Sequence, residues 1–547
     1  MRQLLSSLER RPPCRRRRRQ GRRRSGWLAF VLIALLLPSF GFAQDSDLAR
    51  TGQDIREHPE TAFEIDGYFR SRGESFYNFD LDRGPTPSGQ YAYPLPLGSP
   101  RSQWLSGADM RLRTDLSLYT LDGTAAVKVR LDVLDNLAFG STPNGTPLTT
   151  NSQDSPPSAF QLKRAYGEIL TPFGVLLAGR MGAHWGLGML AHGGDCASCD
   201  SGDSADRVAF VTPLGGHLWA AAYDVAYAGP STTRSVDDRS LDLDPSDDVH
   251  SVTFAGMGWT SPLSRQRRLD AGLSTFDYGA TASYRWQQND VPAEWMATDD
   301  DVDLGPRQVV ERDFSSWVFD GWLRFEHPWM RLELEAAYLL AEIGQPSSIP
   351  GVEMNEPITS DQYGLAFESD FGPHDARVGG GFNAGVASGD SAPGFGSSLG
   401  LDGDQPQAGD FQGPQANPPR DNQINNFLFH PDYHVDQILF REIIGTVTDA
   451  YYLRPHLSWR FAELGPGSFT ARAAATASWA VNVESTPGGS NYLGVEFDPS
   501  LYYEHDDGFM MAFDYALLFP GAGLDNPDEG LAASPAQLFR ARLIYGF

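Results

Sequence analysis

The chain has 547 residues, of which 57 are glycine, 12% are aromatic and only 3 are cysteine. That length exceeds one ordinary soluble core, so it demands several domains or one large barrel, and the glycine-rich, aromatic profile suits many strands joined by turns. A net charge of −27 excludes nucleic acid as a partner, because the chain is repelled by phosphate.

The first elements are a basic stretch, Arg15 to Arg19 and Arg22 to Arg24, and an apolar run from Trp27 to Leu37. Pro38 and the small-x-small ending Gly41-Phe42-Ala43 follow. This order predicts a secretory signal peptide over residues 1–43. A transmembrane anchor is disfavoured, since the run falls short of the about 20 residues a helical span needs. Cleavage there removes eleven arginines and one glutamate, leaving 32 basic and 69 acidic residues and a net charge of −37. Cys14 leaves with the signal, so Cys196 and Cys199 remain in an oxidising compartment. Residues 44–62 read as a short periplasmic segment, and 63–547 as one body without a composition shift.

From Phe63 onward, period-2 alternation dominates. In "FEIDGYFRSRGESFYNFDL", Phe63, Ile65, Phe69, Tyr77, Phe79 and Leu81 share one face, while Asp66, Arg70, Arg72 and Glu74 share the other. Such a stretch is a strand with unlike faces. In "DMRLRTDLSLYTLDGTAAVKVRLDV", Met110, Leu112, Leu116 and Leu118 alternate with Arg111, Arg113 and Asp115. A turn at Asp122-Gly123 then leads into Val127, Val129, Leu131 and Val133, alternating with Lys128, Arg130 and Asp132. Further tight turns are expected at 171–174, 214–217, 327–328, 371–373 and 506–508. Long polar loops are expected near 82–103, 135–159, 185–206, 229–248, 287–313, 344–360, 388–441, 484–491 and 520–536. Short and long connections thus alternate through about eighteen strands, which is the signature of a transmembrane antiparallel β-barrel with short periplasmic turns and long extracellular loops. Lipid forbids an unpaired sheet edge, so the first and last strands must meet. The closing strand, "QLFRARLIYGF", ends with Leu543, Tyr545 and Phe547 on its apolar face, the last two at the periplasmic aromatic girdle. A soluble sandwich or propeller also alternates, but neither accounts for an aromatic-ended terminal strand together with the asymmetry in loop length.

"ARLIYGF" resembles the terminal signal by which Gram-negative outer-membrane barrels are recognised by the barrel assembly machinery. "RAYGEILTPFG", "GRMGAHWGLGML" and "FHPDYHVDQILFREIIGTVTDAYYLRPH" resemble an uncharacterised family of predicted outer-membrane barrels from myxobacteria and relatives. The resemblance implies location and fold, and a porin-like role, but no substrate.

Several motifs compete for chemistry. Cys196 and Cys199, three apart in a secreted loop, are expected to form a disulfide; a redox pair, or zinc with His184 and His192, are the alternatives. "SGDSA" occurs at 201–205 and 388–392, and Ser204 or Ser391 as a hydrolase nucleophile is weaker than ordinary turn chemistry. Asp237, Asp238, Asp242, Asp244, Asp247 and Asp248, and Asp299, Asp300, Asp301 and Asp303, make acidic loops that are candidates for Ca²⁺ or for divalent ions bridging lipopolysaccharide. "GGGFNAG" at 379–385 reads as a bendable strand and not as a nucleotide loop. No other cofactor is expected.

With charged faces assigned to the lumen, Arg70, Arg72, Arg111, Arg113, Lys128, Arg130, Arg164, Arg180, Arg540 and Arg542 form a basic wall. Asp320, Glu333, Glu335 and Glu368 oppose it. Cross-strand neutralisation is the competing reading. The expected function is an outer-membrane channel for passive diffusion of small hydrophilic solutes, mildly anion-preferring, and no enzyme. The alternative is a plugged barrel that binds or transports a specific ligand or anchors surface structures, with residues 388–441 long enough to fold inward. Oligomeric state is left open.

Overall fold

The structure is a computed structural model that describes residues 63–97, 103–120, 123–140, 160–226, 247–290, 309–347, 351–373, 376–396, 406–416 and 421–547. The expected signal peptide and periplasmic segment, Asp122, and all the acidic-loop aspartates except Asp247 and Asp248 lie outside them.

Eighteen strands are described: β1 (Phe63–Tyr77), β2 (Trp104–Tyr119), β3 (Ala125–Ala138), β4 (Phe160–Thr171), β5 (Gly174–Gly182), β6 (Ser204–Leu214), β7 (His217–Ala226), β8 (Val249–Gly258), β9 (Thr275–Asp290), β10 (Val310–His327), β11 (Met330–Ile343), β12 (Ile358–Phe371), β13 (Val378–Ala387), β14 (Ala450–Leu464), β15 (Gly467–Ala480), β16 (Tyr492–His505), β17 (Phe509–Pro520) and β18 (Ala536–Gly546). Each pairs antiparallel with its chain neighbour, and β1 pairs with β18, so the sheet closes into a barrel. The strands run from 9 to 18 residues, enough to cross the about 9–11 residues' worth of hydrocarbon. Among the described residues no helix is long and apolar enough to cross a membrane.

Alternation sorts the faces as expected. On β18, Phe539, Leu543 and Tyr545 are exposed on the outside, while Leu538, Arg540, Arg542 and Ile544 are buried on the inside. Phe69, Trp104, Val127, Leu162, Phe254, Trp317 and Phe513 continue the outer apolar belt. A continuous belt of this kind would be unstable in water and is the face a bilayer covers. At the seam, Phe547 and Gly67 exchange two backbone hydrogen bonds of 3.0 and 3.1 Å. Gly67 must lack a side chain, because a Cβ there would lie 2.9 Å from the Phe547 ring and 2.3 Å from the Arg113 carbonyl oxygen. Arg72 faces Arg542 and Glu74 faces Arg540 across the seam.

The connections follow the expected pattern, with three differences. The tight turn at Gly465-Pro466 between β14 and β15 is not among the expected turns. The β8–β9 connection, absent from the expected turns, carries a helix, α1 (Pro262–Asp270), capped by Ser261. The first strand stops at Tyr77, not near Leu81: Asn78, Leu81 and Asp82 take positive φ, and the chain turns inward. Phe79 and Leu81, expected to face lipid, are therefore buried inside the barrel at 3% and 0% exposure.

Candidate functional site

Besides the start of the β1–β2 connection, two long connections fold deep into the lumen. The first follows β5. Trp185 opens it, and its indole Nε1 donates to Asp320 Oδ1 of β10 at 3.0 Å. Gly186 and Gly188 adopt φ of 55° and 79°, a backbone that glycine permits. The turn aims the amides of Leu187, Met189 and Leu190 at the Glu335 carboxylate of β11, at 2.5, 3.4 and 3.2 Å. The glycines of "GRMGAHWGLGML" thus wrap backbone around one wall carboxylate.

The same segment then crosses to the opposite wall and reverses its hydrogen-bonding sense. Arg70 Nη1 donates to the carbonyls of Ala197 and Cys199, both at 3.1 Å. Arg111 donates to Cys199 and Asp200 carbonyls at 2.7 and 2.6 Å. Arg113 donates to the Gly194 carbonyl, and Arg164 to that of Gly193 at 2.5 Å. Cys196 and Cys199 are joined as a disulfide. The Asp200 carboxylate meets Arg72 at 2.9 Å, Arg70 at 3.1 Å and Arg441 at 3.2 Å. Burial alone would push the Asp200 carboxyl up, but Arg441 and Arg72 override it and hold it well below the usual carboxylate range. The segment is a strap whose amides face the acidic wall and whose carbonyls face the basic wall.

The second inward connection lies between β13 and β14. Its apolar residues Phe395, Phe411, Phe427, Phe429, Leu439 and Phe440 pack against inner faces of β11 to β18 and against Phe79, Leu81 and Met189, forming the largest buried core. Glu496 of β16 accepts the amides of Gln437, Ile438 and Leu439 at 2.8, 2.8 and 3.1 Å, at the start of a π-helical turn, Leu439–Ile444. Asp432 accepts the Asp200 and Ser201 amides at 2.6 and 3.0 Å, tying the two connections together. Near this junction His184 meets His192 edge-on and His192 stacks on His430, with ring centres 5.1 and 5.3 Å apart. Their Nδ1 atoms accept backbone amides of Gly193, Gly194 and Asp432. Burial, and then the neighbouring His184, pull His192 down to about 4.

Of the residues expected to line the lumen, Arg70, Arg111, Arg113, Arg540, Glu333 and Glu335 are almost fully buried, and Arg72, Asp320 and Arg542 nearly so. They face inward, but toward protein and not open water. Arg542 pairs with Asp514 at 2.7 Å, and Arg540 with Glu74 and with Glu442. Glu333 and Glu368 share Arg331 at 2.8 and 2.5 Å, and Glu368 also receives the Tyr433 hydroxyl at 3.1 Å. Arg180 departs from the expectation. It sits on the outer face of β5, about half exposed, and pairs with Asp206 of β6 at 2.7 Å. The reason is the phase of β5, which turns Val175, Leu177 and Met181 inward. Glu496, Asp432 and Asp200 were not anticipated. The clue available was the apolar content of "FLFHPDYHVDQILFREIIG", too high for a solvent loop.

A cavity of about 360 Å³ remains between the strap and the inner faces of β2 to β10. Lys128, Arg130 and Arg164 line it, together with Asp115, Glu168 and Asp195. Lys128 pairs with Glu168 at 3.2 Å, Arg130 with Asp115 at 2.6 Å and Arg164 with Asp195 at 2.9 Å.

The zinc alternative finds no support in the donor set. His192, Cys199 and Asp432 approach one another, but the sulfur is committed to the disulfide. Asp200, Asp432 and His434 also converge, but three arginines surround Asp200. At the second "SGDSA", Ser388 and Asp390 hydrogen-bond the backbone of Tyr363, Asn425 and Ala392, which is turn chemistry.

A closed barrel with an apolar exterior, a charged interior and inward-folded loops is an outer-membrane β-barrel of porin architecture. No protein-family model and no curated protein matches the chain. Among solved structures it is similar to the outer membrane protein OpdK of Pseudomonas aeruginosa (10% identity, TM-score 0.42, 88% of this chain and 99% of that one). It is similar also to OccK11 (OpdR) of the same organism (11%, 0.43, 89% and 98%) and to an anion-selective porin from Comamonas acidovorans (10%, 0.35, 89% and 99%). At these scores the likenesses carry no weight for activity.

Proposed function

We propose that the protein is a constricted outer-membrane channel for small hydrophilic solutes, not an enzyme. The observation that carries this reading is the division of the lumen: two inward connections fill one side, and the β2–β10 side keeps a cavity lined by charged groups. The long connections face outward from the cell and the short turns face the periplasm, the arrangement such barrels share. The resemblance to predicted myxobacterial barrels supports this location. Anion preference, if set by Lys128, Arg130 and Arg164, is mild, because each has a carboxylate partner. The large apolar core of the second connection favours one other reading, a plugged barrel that opens for a specific ligand.

Single-channel recording on refolded protein separates the two. The channel reading expects steady conductance without ligand and a reversal potential displaced slightly toward anions in a salt gradient, reduced by Arg130→Gln. Absence of conductance favours the plug.

A further inference from the structure

The cavity that the channel reading relies on has a second face that charge selectivity leaves unexplained. The inner faces of β5 to β8 present Leu177, Met181, Ala209, Val211, Ala222 and Ala255 to it, with Arg207 and Thr253 as the polar members of the same lining. A water-filled barrel normally turns polar side chains to its lumen. The strap borders the cavity through Ala183, His184, Trp185, Leu190, Ala191 and Asp195, and its anchors lie on other strands: Asp320 and Glu335 at one end, and the arginines of β1, β2 and β4 at the other, so that open volume is left against this face. Water against such a surface is released when an apolar group replaces it. Beside this face, on β2 to β4 and the strap, stand the three ion pairs Lys128–Glu168, Arg130–Asp115 and Arg164–Asp195, with Glu168 the cross-strand neighbour of Leu177. Positive and negative groups there lie within about one hydrogen bond of each other, so the strip offers both signs side by side and little net charge.

We infer that this cavity, on the channel reading above, selects small zwitterions with an apolar body, the chemistry of an aromatic or branched aliphatic amino acid. The apolar body lies on the Leu177–Val211–Ala222 face. The carboxylate of the solute faces Lys128, Arg130 or Arg164, and its ammonium faces Asp115, Glu168 or Asp195. A lone anion or cation satisfies one sign of the strip and leaves the other opposed. A polar zwitterion satisfies the strip but gains nothing on the apolar face. The cavity volume is at the small end of ligand sites and admits one such molecule.

The test uses the full-length protein in liposomes. Uptake of labelled phenylalanine is compared with that of labelled glutamine, and phenylpropionate and phenethylamine serve as competitors. The inference expects phenylalanine to enter at least three-fold faster than glutamine, and each singly charged competitor to inhibit less than unlabelled phenylalanine. Val211→Thr combined with Ala209→Ser makes the apolar face polar at nearly constant volume. It should bring the phenylalanine-to-glutamine ratio close to one, and unchanged heat-modifiability on unheated gels shows that the variant is assembled. Equal uptake of both amino acids by the native protein, stronger competition by phenylpropionate, or an unchanged ratio in the variant overturns the inference while the channel reading stands. Loss of all uptake together with absence of conductance in the native protein brings down the channel reading, and this inference with it.

Discussion

The two halves of the lumen use the same strand periodicity to opposite ends. On the side built from β11 to β18 with β1 and β2, inward charges reach across the barrel to loop backbone: Arg111 to Cys199 and Asp200, Glu335 to Leu187 to Leu190, Glu496 to Gln437 to Leu439. On the β3–β9 side, Lys128 pairs with Glu168 and Arg207 with Asp224 of the neighbouring strand, the latter at 2.6 Å, and Arg130 divides between Asp115 of β2 and Asp195, which it shares with Arg164. The first half is an anchored interior and the second a self-neutralised wall facing space. A charged face in a strand therefore does not by itself mean a face that ions see.

The sharpest way to break this comparison is to break the barrel that frames it. Deleting Phe547 removes, and replacing Gly67 by Val disrupts, the last contact of the seam between β1 and β18, where Gly67 meets Phe547. Either change should reduce heat-modifiable, outer-membrane-assembled protein to a small fraction of wild type on unheated gels. Normal assembly of both variants would show that closure does not depend on this pair.

The next effect distinguishes the halves. Glu335→Ala leaves three amides of the strap without an acceptor, a local cost on the order of 3–5 kcal/mol. The expected outcome is an assembled barrel with a noisier and at least two-fold larger conductance. Arg130→Gln, on the self-neutralised side, should alter selectivity and leave conductance within about 30%, because Arg164 still holds Asp195. If the two variants behave alike in single-channel recordings, the division of the lumen has no functional meaning.

How much of this was legible in the sequence follows from which signals are local. The eighteen strands, the nine long connections and the outward phase of Leu543 and Tyr545 are carried by period 2 within each strand. The roles of Arg70 and Arg111 were not legible, since their partners lie 127 to 129 and 88 to 89 residues away in chain segments without regular structure. Arg180 misled because the rule that charge points inward fails where the inner wall is apolar. Phe79 and Leu81 misled because positive φ at Asn78 ends the alternation while the residue pattern continues it.

A smaller effect tests the junction of the two connections. His192 is held neutral down to about 4 by burial and then by His184, with His430, Asp432 and Asp195 also nearby. An unfolded histidine takes up its proton near 6.5, so the junction loses stability as pH falls from about 6.5 to about 4, by about 1.4 kcal/mol per unit at most, and the loss levels off below. Buried Asp449, pushed up to about 6 by burial, works in the opposite sense: its ionisation costs stability as pH rises from 3.8 toward 6. The comparison with His192→Gln isolates the histidine. Between pH 7 and pH 4.5, hydrogen-exchange protection of strap amides should fall by up to about 2.5 kcal/mol more in wild type than in the variant. Equal falls would place the acid sensitivity elsewhere.

The smallest expected effect concerns the disulfide. Cys196 and Cys199 enclose so short a loop that the chain-entropy gain is about 2 kcal/mol, and only for the strap. Its stronger effect is on geometry. The bonded turn carries the Ala197 and Cys199 carbonyls that Arg70 and Arg111 hold, with Asp200 next in line for Arg72 and Arg441. Thiol labelling of unreduced, denatured protein should find no free sulfhydryl. Replacing both cysteines by Ser should leave heat-modifiability unchanged, because no strand pairing depends on the turn, while open-channel current noise rises on the millisecond scale as the carbonyls lose their fixed spacing. The rise should be smaller than that of Glu335→Ala, since the strap carbonyls that Arg70, Arg111, Arg113 and Arg164 hold remain available after the bond is gone. Noise equal to or greater than that of Glu335→Ala would mean that the bond, and not the two charged walls, is what holds the strap across the lumen.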